Sequence, residues 1–168
     1  MTAVALDPAA LAALRAWETS QFAAPARPAE RPAATRSGVA TTHGVDDLVD
    51  EARGTYEPVS VRAAYQLVLF RRAVLVDIRP EAQRRAEGEV DPALAPVVVE
   101  RNVLEWRFDP RGSARLPWVT EETRVLVLCQ EGYASSLAAV SLVSLGVRAT
   151  DVVGGLRAWR EAGLPLAS

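Results

Sequence analysis

Lysine is absent from the 168 residues; all 19 basic residues are arginine. Schiff-base catalysis and a Walker-type phosphate loop both need a lysine amine, so both are excluded. Histidine is nearly as scarce. The single one, His43, lies in TRSGVATTHGVDD, a small-residue and polar stretch that reads as linker. A Ser-His-Asp triad, a Cys-His dyad or a zinc site would each depend on it, so no catalytic role is expected for His43 and no metal or organic cofactor is implied. The one cysteine, Cys129, allows no internal disulfide, which suits a reducing cytoplasm. No apolar run approaches the roughly 20 residues that span a bilayer, so no membrane partner is expected. A net charge of −2 is too small to point to nucleic acid. The opening MTAVALDPAALAALRAW has no basic residue ahead of its apolar ones and an early Asp7, which argues against a signal peptide.

What is present is an ordinary globular mixture, 49% hydrophobic and 24% charged. The length suits one domain with a short appendage. Residues 1–43 read as that appendage: a helix over 8–22, capped by Asp7 and begun by Pro8, with Leu11, Leu14 and Trp17 on one side, then an Ala/Pro/Arg-rich linker. The helix could dock on the main domain or on a second copy of the chain; the sequence does not choose. From Gly44 to Ser168 the pattern is that of one α/β domain. GVDDLVDEAR and VRAAYQLVLFRR, the latter capped by Ser60, predict two helices. AVLVDI (73–78), Val97 to Val99 and TRVLVLC (123–129) are β-branched apolar runs of the kind found in buried parallel strands. PEAQRRAEG predicts a helix, SSLAAVSLVSLG an amphipathic one stopped by Gly146, VRATDVVGG a fourth strand and LRAWREAG a last helix. Strands alternating with helices imply a central, mainly parallel sheet. Trp118 and Trp159 read as core, and Trp106 as either core or a pocket wall.

In such sheets, binding sites gather at the carboxyl ends of the strands. Cys129 lies at such an end, in the order strand, tight loop, helix: VLVLC-QEGYA-SSLAAVSLV. Gly132 permits a sharp turn, and Ser135 and Ser136 begin the helix. If the loop curls around the thiol, its amides and the helix dipole favour a sulfur anion. A small buried hydrophobe is the bland alternative for a cysteine in this position.

The ordered set of motifs resembles the rhodanese-like family over about residues 56 to 168. Cys129 opens a loop with glycine three residues on. Gly154, Gly155 and Trp159 match the family's Gly-Gly-x-x-x-Trp helix, Gly163 and Pro165 its Gly-hydrophobic-Pro tail, and Asp77 with Arg79 its Asp-x-Arg strand end. The resemblance implies a three-layer domain and a sulfurtransferase. Cys129 would take sulfane sulfur from a small anionic donor and pass it, as a persulfide, to a thiol or cyanide-type acceptor. Gln130, Glu131, Gly132, Tyr133, Ala134 and Ser135 would form the binding loop. Arg84 and Arg101 are the first cation candidates, with Arg85 and Arg107 behind them, and Asp77 with Arg79 is expected to pair and brace the loops.

Three departures from the family stand out. Ala134 replaces a common arginine, Gln130 and Glu131 replace basic residues, and Gly88-Glu89-Val90 is all that remains of a Gly-His-Ile-Pro-Gly-Ala segment. They put thiosulfate in doubt as donor: a carboxylate at Glu131, if aimed inward, would repel a dianion, whereas the more common fate of a loop glutamate is to point to solvent. The phosphatase relatives on this fold use Cys-x5-Arg, whose arginine grips an oxyanion; here that position is Ser135. The competing reading is a non-catalytic module that binds a protein partner or senses oxidation through Cys129.

Overall fold

The computed structural model describes residues 44–167. The helix expected over 8–22, the linker and His43 lie outside the described residues. Gly44 precedes helix α1 (Val45–Arg53), and Ser60 caps α2 (Val61–Leu69) by accepting the Ala63 amide through Oγ at 3.3 Å. Strand β1 (Val74–Asp77) leads into α3 (Glu81–Glu87), and a 3-10 turn (Pro92–Leu94) precedes the two-residue β2 (Val97–Val98). A second 3-10 turn (Arg101–Val103) runs into α4 (Leu104–Phe108). Strand β3 (Arg124–Leu128), α5 (Tyr133–Ser144), β4 (Arg148–Asp151) and α6 (Gly155–Glu161) complete the order. No helix among the described residues is long and apolar enough to cross a membrane.

The four strands form one parallel sheet in the order β2-β1-β3-β4. From β1 the chain moves outward to β2, then returns past β1 to place β3 on its other side. The order therefore reverses between β1 and β3, the point where open parallel sheets leave a crevice at their carboxyl ends. Asp77 is in register with Leu128, and the Ile78 amide donates to Leu128 O at 2.9 Å. The chain segments 77–79 and 128–130 thus leave the sheet side by side.

Strand alternation sorts the core into two layers. Val125, Val127 and Cys129 join Leu104, Phe108, Ala138, Ala139 and Leu142 on the α4/α5 face. Leu126 and Leu128 join Leu67, Leu156 and the fully buried Trp159 on the α2/α6 face. Cys129 consequently points toward the first turn of α5.

Several details depart from the sequence reading. Trp118 is largely exposed, its ring edge-on to the buried Phe108 rather than within the core. Trp106 is more exposed still and is not core. Helix α5 is not amphipathic: Ser135, Ser136, Ala138, Ala139 and Leu142 are all buried, and Ser141 and Ser144 donate back to the carbonyls of Leu137 and Val140. Serine that hydrogen-bonds its own helix loses most of its polarity, so a small-residue helix can be covered on several sides. Helix α4 went unrecognised because its five residues are too few to show a helical period.

Candidate active site

The loop that follows β3 is shaped by its glycines. Gly132 adopts φ +89°, a left-handed conformation, and caps α5. This conformation turns its N–H inward, where it donates to Cys129 Sγ at 3.2 Å. Three residues on, in the first turn of α5, the Ser135 amide donates to the same atom at 3.4 Å, and Ser135 Oγ lies 3.2 Å from it. Cys129 is 7% exposed, close to the surface yet enclosed by its own loop. Amides at a helix N-terminus carry partial positive charge, and the cap amide of Gly132 and the first-turn amide of Ser135 both point at sulfur.

The loop's carbonyls are taken up on the outside. Leu156 N–H donates to Cys129 O at 2.9 Å and Arg157 N–H to Gln130 O at 3.0 Å, so the first turn of α6 grips the loop from the α2/α6 side. This close approach explains Gly155. At φ +59°, a Cβ there would overlap Cys129 O and come within 2.7 Å of Gln130 C.

A second brace comes from β1. Arg79, 1% exposed, places its guanidinium on Asp77, with Nη2–Oδ2 at 2.6 Å and Nε–Oδ1 at 3.0 Å. It also donates to Gln130 Oε1 at 3.3 Å and Gly88 O at 3.0 Å. Asp77 neutralises this cation, which ties the β1 and β3 exits together. Gly88, left over from the expected family segment, supplies a carbonyl to that tie.

The other residues singled out in the sequence fall in different places. Glu131 faces solvent and pairs with Arg157 at 2.5 Å. Tyr133 and Ala134 are exposed on the first turn of α5. Arg84 donates to Arg79 O at 2.6 Å and to Glu89 at 3.0 Å, which sets it beside the Asp77–Arg79 brace. Arg101 follows β2 and makes two bonds to Glu105, at 2.7 and 2.8 Å. Arg85 pairs with Glu81 on the surface, and Arg107 donates to Ala114 O.

Four residues lie against the loop from its far side; the sequence reading named Ser136 only as a helix start and did not flag the other three. Ser136 Oγ is 2.7 Å from Gly132 O and 3.1 Å from Asp151 Oδ2. Tyr56 Oη is 3.1 Å from Asp151 Oδ1, and Arg53 donates to Ser136 Oγ and Gly132 O, both at 3.1 Å. Asp151 is fully buried, and that burial raises its carboxyl above the ordinary value. Burial, with the neighbouring Asp151 charge, likewise pushes the Tyr56 phenol up, so it stays protonated and able to donate. An acid closing a short strand was the available signal for Asp151; nothing in the sequence marked Arg53 or Tyr56.

No family model and no curated protein matches the chain. Solved structures do. A protein of unknown function from Rhodopseudomonas palustris, described as a possible tyrosine phosphatase, superposes with a TM-score of 0.68 at 27% identity, over 78% of this chain and 99% of that one. A rhodanese-related protein from Thermoplasma volcanium gives 0.52 at 20% identity, over 67% and 98%. The polysulfide-sulfur transferase homodimer of Wolinella succinogenes gives 0.55 at 22%, over 73% and 85%. With its parallel four-stranded sheet and flanking helices, the chain has the rhodanese-like α/β fold.

Proposed function

We propose that this protein is a sulfurtransferase that carries sulfane sulfur as a Cys129 persulfide. One observation carries the reading: the Gly132 and Ser135 amides and the Ser135 hydroxyl converge on Sγ at a strand's carboxyl end. The two amides are fixed donors, and the hydroxyl, which accepts from the thiol, can turn to donate once sulfur is ionised; together they stabilise negative charge on sulfur, whether on a thiolate or on the outer atom of a persulfide.

In the first half-reaction the Cys129 thiolate attacks the outer sulfur of a donor R–S–S⁻. The donor's S–S bond breaks, its electron pair leaves on R–S⁻, and Cys129–S–S⁻ forms. An acceptor thiolate or cyanide then attacks the outer sulfur, and Cys129 departs as thiolate. The sulfur changes carrier without net oxidation, so the two steps require no cofactor.

The charges around the loop favour a monoanionic persulfide or polysulfide over thiosulfate. Arg79 is neutralised by Asp77, Arg157 by Glu131, Arg84 by Glu89 and Arg101 by Glu105. A paired guanidinium attracts a dianion less than a free one does. Arg84 and Arg101 are the cations proposed to meet the donor, each by exchanging its carboxylate. A phosphatase reading, suggested by the name of the Rhodopseudomonas neighbour, is not adopted because Ser135 stands where Cys-x5-Arg chemistry needs its arginine.

The test is thiocyanate production from polysulfide and cyanide. Wild type should turn over and Cys129→Ser should not. Equal background rates for the two proteins would leave the non-catalytic, redox-sensing module as the better reading.

A further inference from the structure

Gly132 faces two ways. Its N–H serves Cys129 Sγ, while its carbonyl receives Arg53 Nη2 at 3.1 Å and Ser136 Oγ at 2.7 Å. Arg53 belongs to α1, which packs on α5, and comes from a part of the chain ahead of the motifs that resemble the family.

Counting donors shows why the arginine matters. Ser136 has one hydroxyl proton and two acceptors in range, Gly132 O and Asp151 Oδ2. The Tyr56 phenol has one proton for Asp151 Oδ1 at 3.1 Å or Ser136 O at 3.2 Å. Whenever Ser136 turns its proton to Asp151, Gly132 O keeps a partner only through Arg53. Arg53 also donates through Nε to Ser136 Oγ, so its fork holds both ends of the turn that aims the two amides at sulfur.

We propose that Arg53 is a positioning residue for Cys129, acting through Gly132 O and Ser136 Oγ to hold the loop in its anion-cradling geometry. The proposal rests on the reading of Cys129 as a reactive thiol, but not on any sulfur donor. The bland competitor is simple charge pairing, since Arg53 lies 3.7 Å from the buried Asp151.

Alkylation of Cys129 by iodoacetamide, followed by mass spectrometry across a pH series, separates the two and needs no sulfur chemistry. Arg53→Met should slow alkylation about tenfold near neutral pH and move its pH profile upward, the scale of losing one charge-assisted hydrogen bond. The double variant Arg53→Met/Asp151→Asn removes the buried charge as well, and should fold even if the single variant does not. Positioning predicts that it stays slow, whereas charge pairing predicts recovery of the wild-type rate. Arg148→Met breaks an ion pair whose arginine is as exposed as Arg53, 30%, at the other end of β4, and should leave alkylation unchanged. A double variant within about twofold of wild type would overturn the proposal. Slow alkylation together with no thiocyanate from wild type would keep the positioning role and reject the sulfurtransferase.

Discussion

Ser135 meets Cys129 twice, through its amide at 3.4 Å and its hydroxyl at 3.2 Å from Sγ. While the thiol is protonated, S–H donates to Oγ; once it is ionised, the hydroxyl can turn and donate to sulfur. Ser135→Ala keeps the amide and removes the adaptable partner. We expect kcat for sulfur transfer to fall about threefold to tenfold, near 1 kcal/mol for one hydrogen bond. Unchanged kinetics would assign the stabilisation to the backbone alone.

Glu131 was open in the sequence, either aimed at the donor or turned to solvent. It is turned outward and held by Arg157. Glu131→Gln should therefore leave kcat/KM for thiosulfate within about twofold, because an exposed, paired charge contributes little at range under screening. A tenfold gain at low salt would show that the carboxylate swings toward the donor during turnover.

Gly155→Ala tests the grip of α6 on the loop. The added methyl meets backbone of Cys129 and Gln130 at a positive φ, so no side chain can move aside to admit it. Loss of about 2–4 kcal/mol in chemical unfolding is expected, with slower sulfur transfer in the folded fraction. Near-wild-type stability would contradict the tight packing described.

The alternation of strand and helix was legible because β1 and β3 are buried on both faces and so read as apolar runs ending where the sheet ends. Gly132 was legible as a turn residue and adopts a positive φ; Gly154 and Gly155, read as the end of the fourth strand and matched to the family's last helix, adopt one too. The Asp77–Arg79 pair was foreseen through the resemblance of LVDIR to the family's Asp-x-Arg strand end, and the two side chains do pair. Long-range polar contacts were not legible. Arg53 and Ser136 are 83 positions apart, and no local pattern couples them. Trp118 was misread because an aromatic side chain can lie edge-on over one core ring and still face water.

Asp151 gives a pH signature. Burial raises its carboxyl in the folded protein above the ordinary carboxylate value, so the folded state holds the proton more tightly than the unfolded one. The resulting stabilisation is complete below the unfolded value and is lost as pH rises through the folded one. Asp151→Asn lacks this titration. Urea unfolding from about pH 4 to about pH 7 should show wild type losing stability relative to Asp151→Asn as pH rises. A pH-independent difference, or one moving the opposite way, would mean that Arg53, Tyr56 and Ser136 fully offset the burial.

If Cys129 carries the sulfur, intact-protein mass spectrometry after brief exposure to polysulfide will detect it there. One added sulfur is expected, mapped to the peptide containing Cys129, discharged by cyanide and absent from Cys129→Ser. An unmodified Cys129 under conditions that persulfidate a small thiol would contradict it.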